Sequence, residues 1–404
     1  MYGLESIIQN LKLLNYFEKT VRSRVWCCYS WLSLKSLIIF SSMSNEEVPV
    51  LVPQTLRDSL KQYNQEHVLT FIDNGTVTGS SATDLLDQLN LLDLSFLQNI
   101  FQASTSEDTA DSIQASDSTR IEPLDTFHAL DESSHEDQVA WREMGLAALC
   151  RGTVAAIVLS GGQGTRLGFA GPKGMYDIGL PSGKTLFELF ALRLLRLNTL
   201  TCSNIPWYIM TSPMNHETTV AFFKEHQYFG LPTESVMMFP QGTLPCFTKE
   251  GKLILETPCR LAQASDGNGG IYTALYKSGA LADMQKRGIL YAHAFAVDNA
   301  ACKVADPIFI GYCIAREADV GNKVVWKSSS AEKVGIVAKR GGKYCVVEYS
   351  EMDEETKALK DVKTGKLVYG AGNICNHFYT VYVIPRLRYL GLLLIYDLGT
   401  FYPS

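Results

Sequence analysis

Gly161, Gly162 and Gly164 stand in the run Leu159-Ser-Gly-Gly-Gln-Gly-Thr-Arg-Leu-Gly168, directly after an apolar stretch over residues 154–159. Glycines so spaced let the backbone turn tightly and bring several N–H groups towards one point, an anion-binding nest with no side chain in the way. Arg166 adds a planar cation suited to phosphate oxygens, and Lys173, within Gly171-Pro172-Lys173-Gly174, lies close enough along the chain to return to the same pocket. Two better-known phosphate loops do not fit. The dinucleotide fingerprint GxGxxG fails because Leu167 stands where its third glycine belongs and Gly168 comes one residue late. Gly179-Leu-Pro-Ser-Gly183-Lys184-Thr185 has three residues between its glycines where a Walker loop has four, so Lys184 and Thr185 read instead as the opening of a helix. Alone, a glycine-rich loop after a strand is as readily a plain turn.

The elements that must hold this loop alternate. Residues 154–159, 207–210, 236–239 and 290–297 read as short, nearly continuous apolar strands, and 185–197, 215–227 and 270–287 as helices between them. Such alternation predicts an α/β fold with a doubly wound, Rossmann-like sheet, whose ligands sit at the carboxyl ends of the strands. After Asp306 the pattern turns strand-rich, at 323–326, 334–338, 344–348 and 366–369. Upstream, Leu56, Leu60 and Tyr63, and then Leu85, Leu86, Leu89, Leu91 and Leu92, are spaced as helical faces. The expected organisation is a leader at 1–43, a helical subdomain at 44–150 with an acidic, Ser-rich linker at 103–138, a catalytic domain at 151–380 and a tail at 381–404.

Composition narrows the partners. Lys and Arg total 36 against 42 Asp and Glu, a net charge of −6, which leaves no broad basic field for nucleic acid or an anionic membrane. The ten cysteines are scattered through apolar runs without a CxxC pair, as befits reduced thiols used as small hydrophobes. The apolar stretch at 31–40 is interrupted by Lys35 and falls short of the ~20 residues a membrane span needs. A cytoplasmic protein acting on small molecules is the expectation.

GGxGTRLG followed by PKG is more specific than either part. With PKGMYDIGLPS from Pro172, KTLFE from Lys184, TSPMNHETT from Thr211, FPQGTLPC from Phe239, DGNGGIYTAL from Asp266, VDNAACKVADP from Val297, VVEYSE from Val346 and AGNICNHF from Ala371, the chain resembles the nucleotidyltransferases that make nucleotide sugars. It is most similar to the eukaryotic UDP-N-acetylglucosamine (UDP-N-acetylhexosamine) pyrophosphorylases.

That resemblance implies a GT-A-like nucleotidyltransferase domain that joins UTP to an N-acetylhexosamine 1-phosphate and releases pyrophosphate. Leu159, Ser160, Gly161, Gly162 and Gly164 would hold the nucleotide, with Gln241 on the uracil and Gly267 against the base. Arg166 and Lys173 would neutralise the departing pyrophosphate. Asn268, Gly335, Glu348, Tyr349 and Asn373 correspond to sugar-binding positions. Asp298, at the end of the strand at 290–297, would hold Mg²⁺. The family's C-terminal β domain is absent from the expected architecture, since the resemblance stops near Thr380. A non-catalytic chain that binds uridine nucleotide, specificity for another sugar, and assembly into a homo-oligomer stay open.

Overall fold

A computed structural model describes residues 50–105, 121–125 and 127–391. The expected leader, residues 106–120 of the expected linker and the tail beyond residue 391 lie outside the described residues. Two compact units emerge, one comprising Met1–Leu94 with Leu255–Arg260 and the other Ser95–Ile254 with Leu261–Ser404. In the first, the helices Gln54–Gln62 and Gly79–Asn90 bury Leu56, Leu60, Leu85, Leu86 and Leu89, whereas Tyr63, Leu91 and Leu92, read on the same faces, lie past the helix ends and Leu91 is exposed.

The second unit is built on a mixed sheet. Its strands are β1 (Ile121–Glu122), β2 (Val154–Leu159), β3 (Trp207–Thr211), β4 (Val236–Pro240), β9 (Tyr291–Ala296), β10 (Val320–Trp326), β11 (Ile336–Arg340), β12 (Lys343–Val347) and β13 (Ala371–Thr380). Between β4 and β9 along the chain come the short strands β5 (Thr243–Pro245), β6 (Leu255–Thr257, in the first unit), β7 (Arg260–Leu261) and β8 (Gln263–Ser265), of which β5 pairs with β8. The main sheet runs β1-β11-β13-β9-β2-β3-β4, with β10 on β13 and β12 on β11. The four strands read from the sequence form its parallel centre, β9-β2-β3-β4. An antiparallel extension begins at β13.

Both faces of this centre are covered, which is why β2 is apolar throughout. Val154, Ala156 and Val158 face the helices Leu186–Thr201 and Pro307–Ala315, whereas Ala155, Ile157 and Leu159 face Ile271–Lys277 and Ala280–Lys286. Thr185 caps the first of these helices and Lys184 pairs with Glu188 one turn in, as a helix start requires. Two sequence expectations need correction. The stretch 270–287 is not one helix, because Gly279 turns left-handed (φ +79) and divides it. Residues 366–369 form no strand; Leu367 makes an isolated bridge to Lys360.

Helices His135–Cys150 and Pro307–Ala315 cross at glycines. A Cβ on Gly311 would lie 1.7 Å from the Trp141 carbonyl oxygen, and one on Gly145 would lie 1.9 Å from that of Pro307. Backbone cannot yield as a side-chain tip does, so Gly311→Ala should lose at least the ~1–3 kcal/mol typical of overpacking. Urea unfolding measures it; an unchanged midpoint would show that the helices separate freely.

His293 on β9 and His377 on β13 are buried, and burial pushes both imidazoles down to about 4. From the ordinary value of 6.5 down to about 4, the unfolded chain therefore takes up protons that the folded protein refuses. Their contribution is complete above about pH 6.5 and is lost as the pH falls towards 4. Asp266 opposes this, since burial raises its carboxyl to about 6 and the fold gains on its protonation, but it is one group against two. The urea midpoint should consequently be lower at pH 5 than at pH 7, and a higher midpoint at pH 5 would contradict the neutral, buried imidazoles.

Candidate functional site

The parallel strands end in register. Leu159 of β2 lies beside Met210 of β3 and Ala296 of β9, and Thr211 lies beside Pro240 of β4. Ser160, Ser212, Gln241 and Val297 thus leave the sheet along one edge. Helices reached from β2 and β3 cover one face, and those leading into β9 cover the other. The crevice between β2 and β9 is therefore a topological switch point, where open α/β sheets bind ligands.

The glycine turn begins at the end of β2, beside that crevice. Ser160 N–H donates to the Met210 carbonyl (2.7 Å), after which the chain folds back as a small hairpin. Gly164 N–H donates to Gly171 (2.9 Å) and Lys173 N–H to Gly162 (3.2 Å), so the PKG stretch lies against the glycines. The amides of Gly161 and Gly162 have no acceptor among the described residues. These are the groups a phosphate nest needs.

Asn215 was missed by the sequence reading, although it lies within TSPMNHETT. Its buried side-chain amide donates to the carbonyls of Ser160 (3.1 Å) and Gly161 (3.2 Å), while its oxygen accepts from Ser212 N–H (2.7 Å). All its contacts are to backbone, so only the fold reveals the role. Gln241, also buried, lies with its side-chain oxygen 2.2 Å from where a Cβ on Gly161 would be. Asp266 occupies the space that a Cβ on Gly242 or Gly270 would need, and Gly267 next to it has φ +76.

Lys173 joins the loop to the next strand. Its Cε is 3.4 Å from the Cβ position of Gly162, and its ammonium pairs with the Asp298 carboxylate at 2.9 Å. Asp298 leaves β9 just after Val297, whose N–H donates to the Leu159 carbonyl (3.1 Å). Its side chain is 57% exposed, open to a ligand. The structure describes Arg166 by its backbone, in the single turn Thr165–Leu167. Its side chain lies outside the described part.

Of the residues read as sugar-binding, Gly335, Glu348, Tyr349 and Asn373 lie on the antiparallel extension, and Asn268 lies before the helix Ile271–Lys277. A Cβ on Gly335 would lie 3.2 Å from a Glu348 carboxylate oxygen, and Asn373 N–H donates to the Gly335 carbonyl (2.8 Å). Tyr349, exposed, follows Glu348 in a short turn closed by Glu348 N–H donating to the Glu351 carboxylate (3.0 Å). The register of β13 shifts against β10 between Asn373 and Asn376, a bulge with Cys375 at φ +48. Cys375 N–H donates to the Asn373 side chain (3.0 Å), and its thiol accepts from Asn268 Nδ2 (3.5 Å). Burial, with the charges of Asp298 and Glu348 behind it, holds that thiol above its ordinary pKa. Cys375 therefore bonds to both Asn268 and Asn373 within the field of Asp298 and Glu348, a position the sequence reading did not single out.

Among the described residues no group of three or more His, Cys, Asp or Glu could hold a metal ion by itself. None of their helices is long and apolar enough to cross a membrane.

The chain is similar in sequence and fold to known proteins. The sequence model of the UTP–glucose-1-phosphate uridylyltransferase family matches residues 95–388. UDP-N-acetylglucosamine diphosphorylase 2 of Arabidopsis thaliana is 43% identical over 343 residues, 81% of this chain and 67% of that protein. UDP-N-acetylglucosamine pyrophosphorylase of Saccharomyces cerevisiae is 40% identical over 335 residues, again 81% and 67%. The chain thus spans about two thirds of the length of these relatives. Among solved structures, the uridine diphosphate N-acetylglucosamine pyrophosphorylase of Trypanosoma brucei, in complex with an inhibitor, superposes with a TM-score of 0.71 at 29% identity, covering 84% of this chain and 69% of that one. The chain belongs to the UTP–glucose-1-phosphate uridylyltransferase family and, within it, to the eukaryotic UDP-N-acetylglucosamine pyrophosphorylases.

Proposed function

We propose that this chain transfers uridylyl from UTP to N-acetylglucosamine 1-phosphate, with N-acetylgalactosamine 1-phosphate as a second acceptor, and releases pyrophosphate. The observation that carries the reading is the ion pair of Lys173 and Asp298 beside free glycine amides at one sheet edge. A phosphate oxygen of the sugar 1-phosphate attacks the α-phosphorus of UTP. The new P–O bond forms as the bond to the β-phosphate oxygen breaks, and pyrophosphate leaves on the opposite side. Displacement of this kind asks for alignment and for positive charge where negative charge develops.

Each group has a task in that displacement. The amides of Gly161 and Gly162 receive phosphate oxygens, and Gln241 offers the uracil both a donor and an acceptor. Lys173 exchanges its bond to Asp298 for one to the departing phosphates, with Arg166 completing the charge. Glu348 and Asn373 orient the sugar, with Asn268, Gly335 and Tyr349 around it. Asp298 fits Mg²⁺, which binds through one or two carboxylates plus substrate phosphates and needs no cage of protein ligands. Bound there, the ion would supply positive charge to the phosphate oxygens. The free cysteines agree with a cytoplasmic setting.

The test is direct. Purified chain given UTP, Mg²⁺ and N-acetylglucosamine 1-phosphate should release pyrophosphate, and more slowly with glucose 1-phosphate. UTP binding without pyrophosphate release would make the chain a nucleotide-binding protein instead.

A further inference from the structure

Behind the site lies a buried polar chain that the proposed reaction does not use. Ala305 N–H donates to His293 Nδ1 (3.0 Å), which must therefore be unprotonated, leaving the ring hydrogen on Nε2. Nε2 then donates to the Asn376 side-chain oxygen (2.8 Å), and Asn376 Nδ2 donates to Cys302 Sγ (3.4 Å). His293, Asn376, Cys302 and Ala305 are all buried. Next to them Asp306 accepts from Lys323 Nζ (2.6 Å) and from Ile308 N–H (3.2 Å), capping the helix Pro307–Ala315.

The geometry gives these bonds one direction. Residues 298–306 leave β9 with Asp298 and return to the sheet at Cys302, Ala305 and Asp306. Ala305 sits at φ +48, a left-handed conformation that a non-glycine residue keeps only when its surroundings hold it. Asn376 lies opposite Phe295 of β9 and next to Cys375, whose thiol feels the Asp298 charge. One imidazole thus ties the loop that carries Asp298 to the bulged strand that carries Asn373.

We propose that His293 is a positioning residue for the Asp298 carboxylate, acting through its bonds to Ala305 and Asn376. The proposal rests on Asp298 as the metal-binding group of the reading above. A histidine that merely fills the core would leave the metal response untouched when replaced by an apolar residue of similar volume in a folded protein. A positioning histidine would not.

The full chain and its His293→Leu and His293→Asn variants separate these roles. Mn²⁺ binding in the presence of UTP is followed by electron paramagnetic resonance, UTP binding without metal by calorimetry, and amide hydrogen exchange over residues 302–305 by mass spectrometry. In His293→Leu, Mn²⁺ affinity should fall about tenfold, the lower end for loss of a group that orients a metal ligand. Exchange over 302–305 should quicken, and metal-free UTP affinity should hold. His293→Asn offers an oxygen to Ala305 N–H and should recover much of both changed readouts. Unchanged Mn²⁺ affinity in His293→Leu, unchanged exchange, or equal loss of metal-free UTP binding would each overturn the proposal. A wild-type chain that binds neither UTP nor Mn²⁺ would instead overturn the reading of the site. Should His293→Leu not fold, Asn376→Ala carries the same test, because it removes the acceptor of Nε2 and keeps the ring.

Discussion

Asp298→Asn is expected to slow pyrophosphate release by about 100-fold or more, the scale seen when one group stabilising transition-state charge is removed. The substitution keeps the size of the side chain and removes its charge. In the free protein that charge faces Lys173 across 2.9 Å, on a side chain more than half exposed. Exposed pairs of this kind contribute roughly 0–1 kcal/mol to stability, so the melting temperature should move little. Separation of the two effects is the informative outcome. Activity within a few-fold of wild type would remove Asp298 from the chemistry, and a large fall in melting temperature would make it a structural anchor.

Gly161→Ala should act on binding. Its Cβ would lie 2.2 Å from the side-chain oxygen of Gln241 and 2.9 Å from that residue's Cδ, so the glutamine must swing away. The end of a flexible side chain moves cheaply, and folding should be little affected. Uracil would lose the group proposed to meet it. With one or two such hydrogen bonds lost, at about 2 kcal/mol together, UTP affinity should fall about 30-fold. Calorimetric titration with UTP measures this, and unchanged affinity would place Gln241 away from the base.

What could be read in the sequence was whatever depends on neighbours along the chain. The run from Val154 to Leu159 shows a strand buried on both faces, and Thr185 with Glu188 marks a helix start, because both signals are local. The return of Lys173 to the glycine turn was legible for the same reason, since few residues separate them. Asn215 was not, because it reaches Ser160 and Gly161 across two strand ends. Gly279, inside an apolar helical pattern, gave no cue strong enough to divide 270–287, yet its left-handed turn does so. The bulge at Cys375 was equally hidden, since a register shift exists only between strands, here β13 and β10. The helix Pro307–Ala315 passed unread because it is apolar all round, although Asp306 and Pro307 announce its start. Assembly of the proposed sugar group from Gly335, Glu348 and Asn373 likewise follows from pairing between distant strands.

Central to all of this is that the glycine turn and Asp298 serve one ligand. A crystal structure of the chain with UTP and Mg²⁺ tests that most directly. Phosphate oxygens on the amides of Gly161 and Gly162, with the ion on Asp298 and Lys173 released to the phosphates, is the predicted result. Nucleotide bound elsewhere while the Lys173–Asp298 pair stays closed would contradict it.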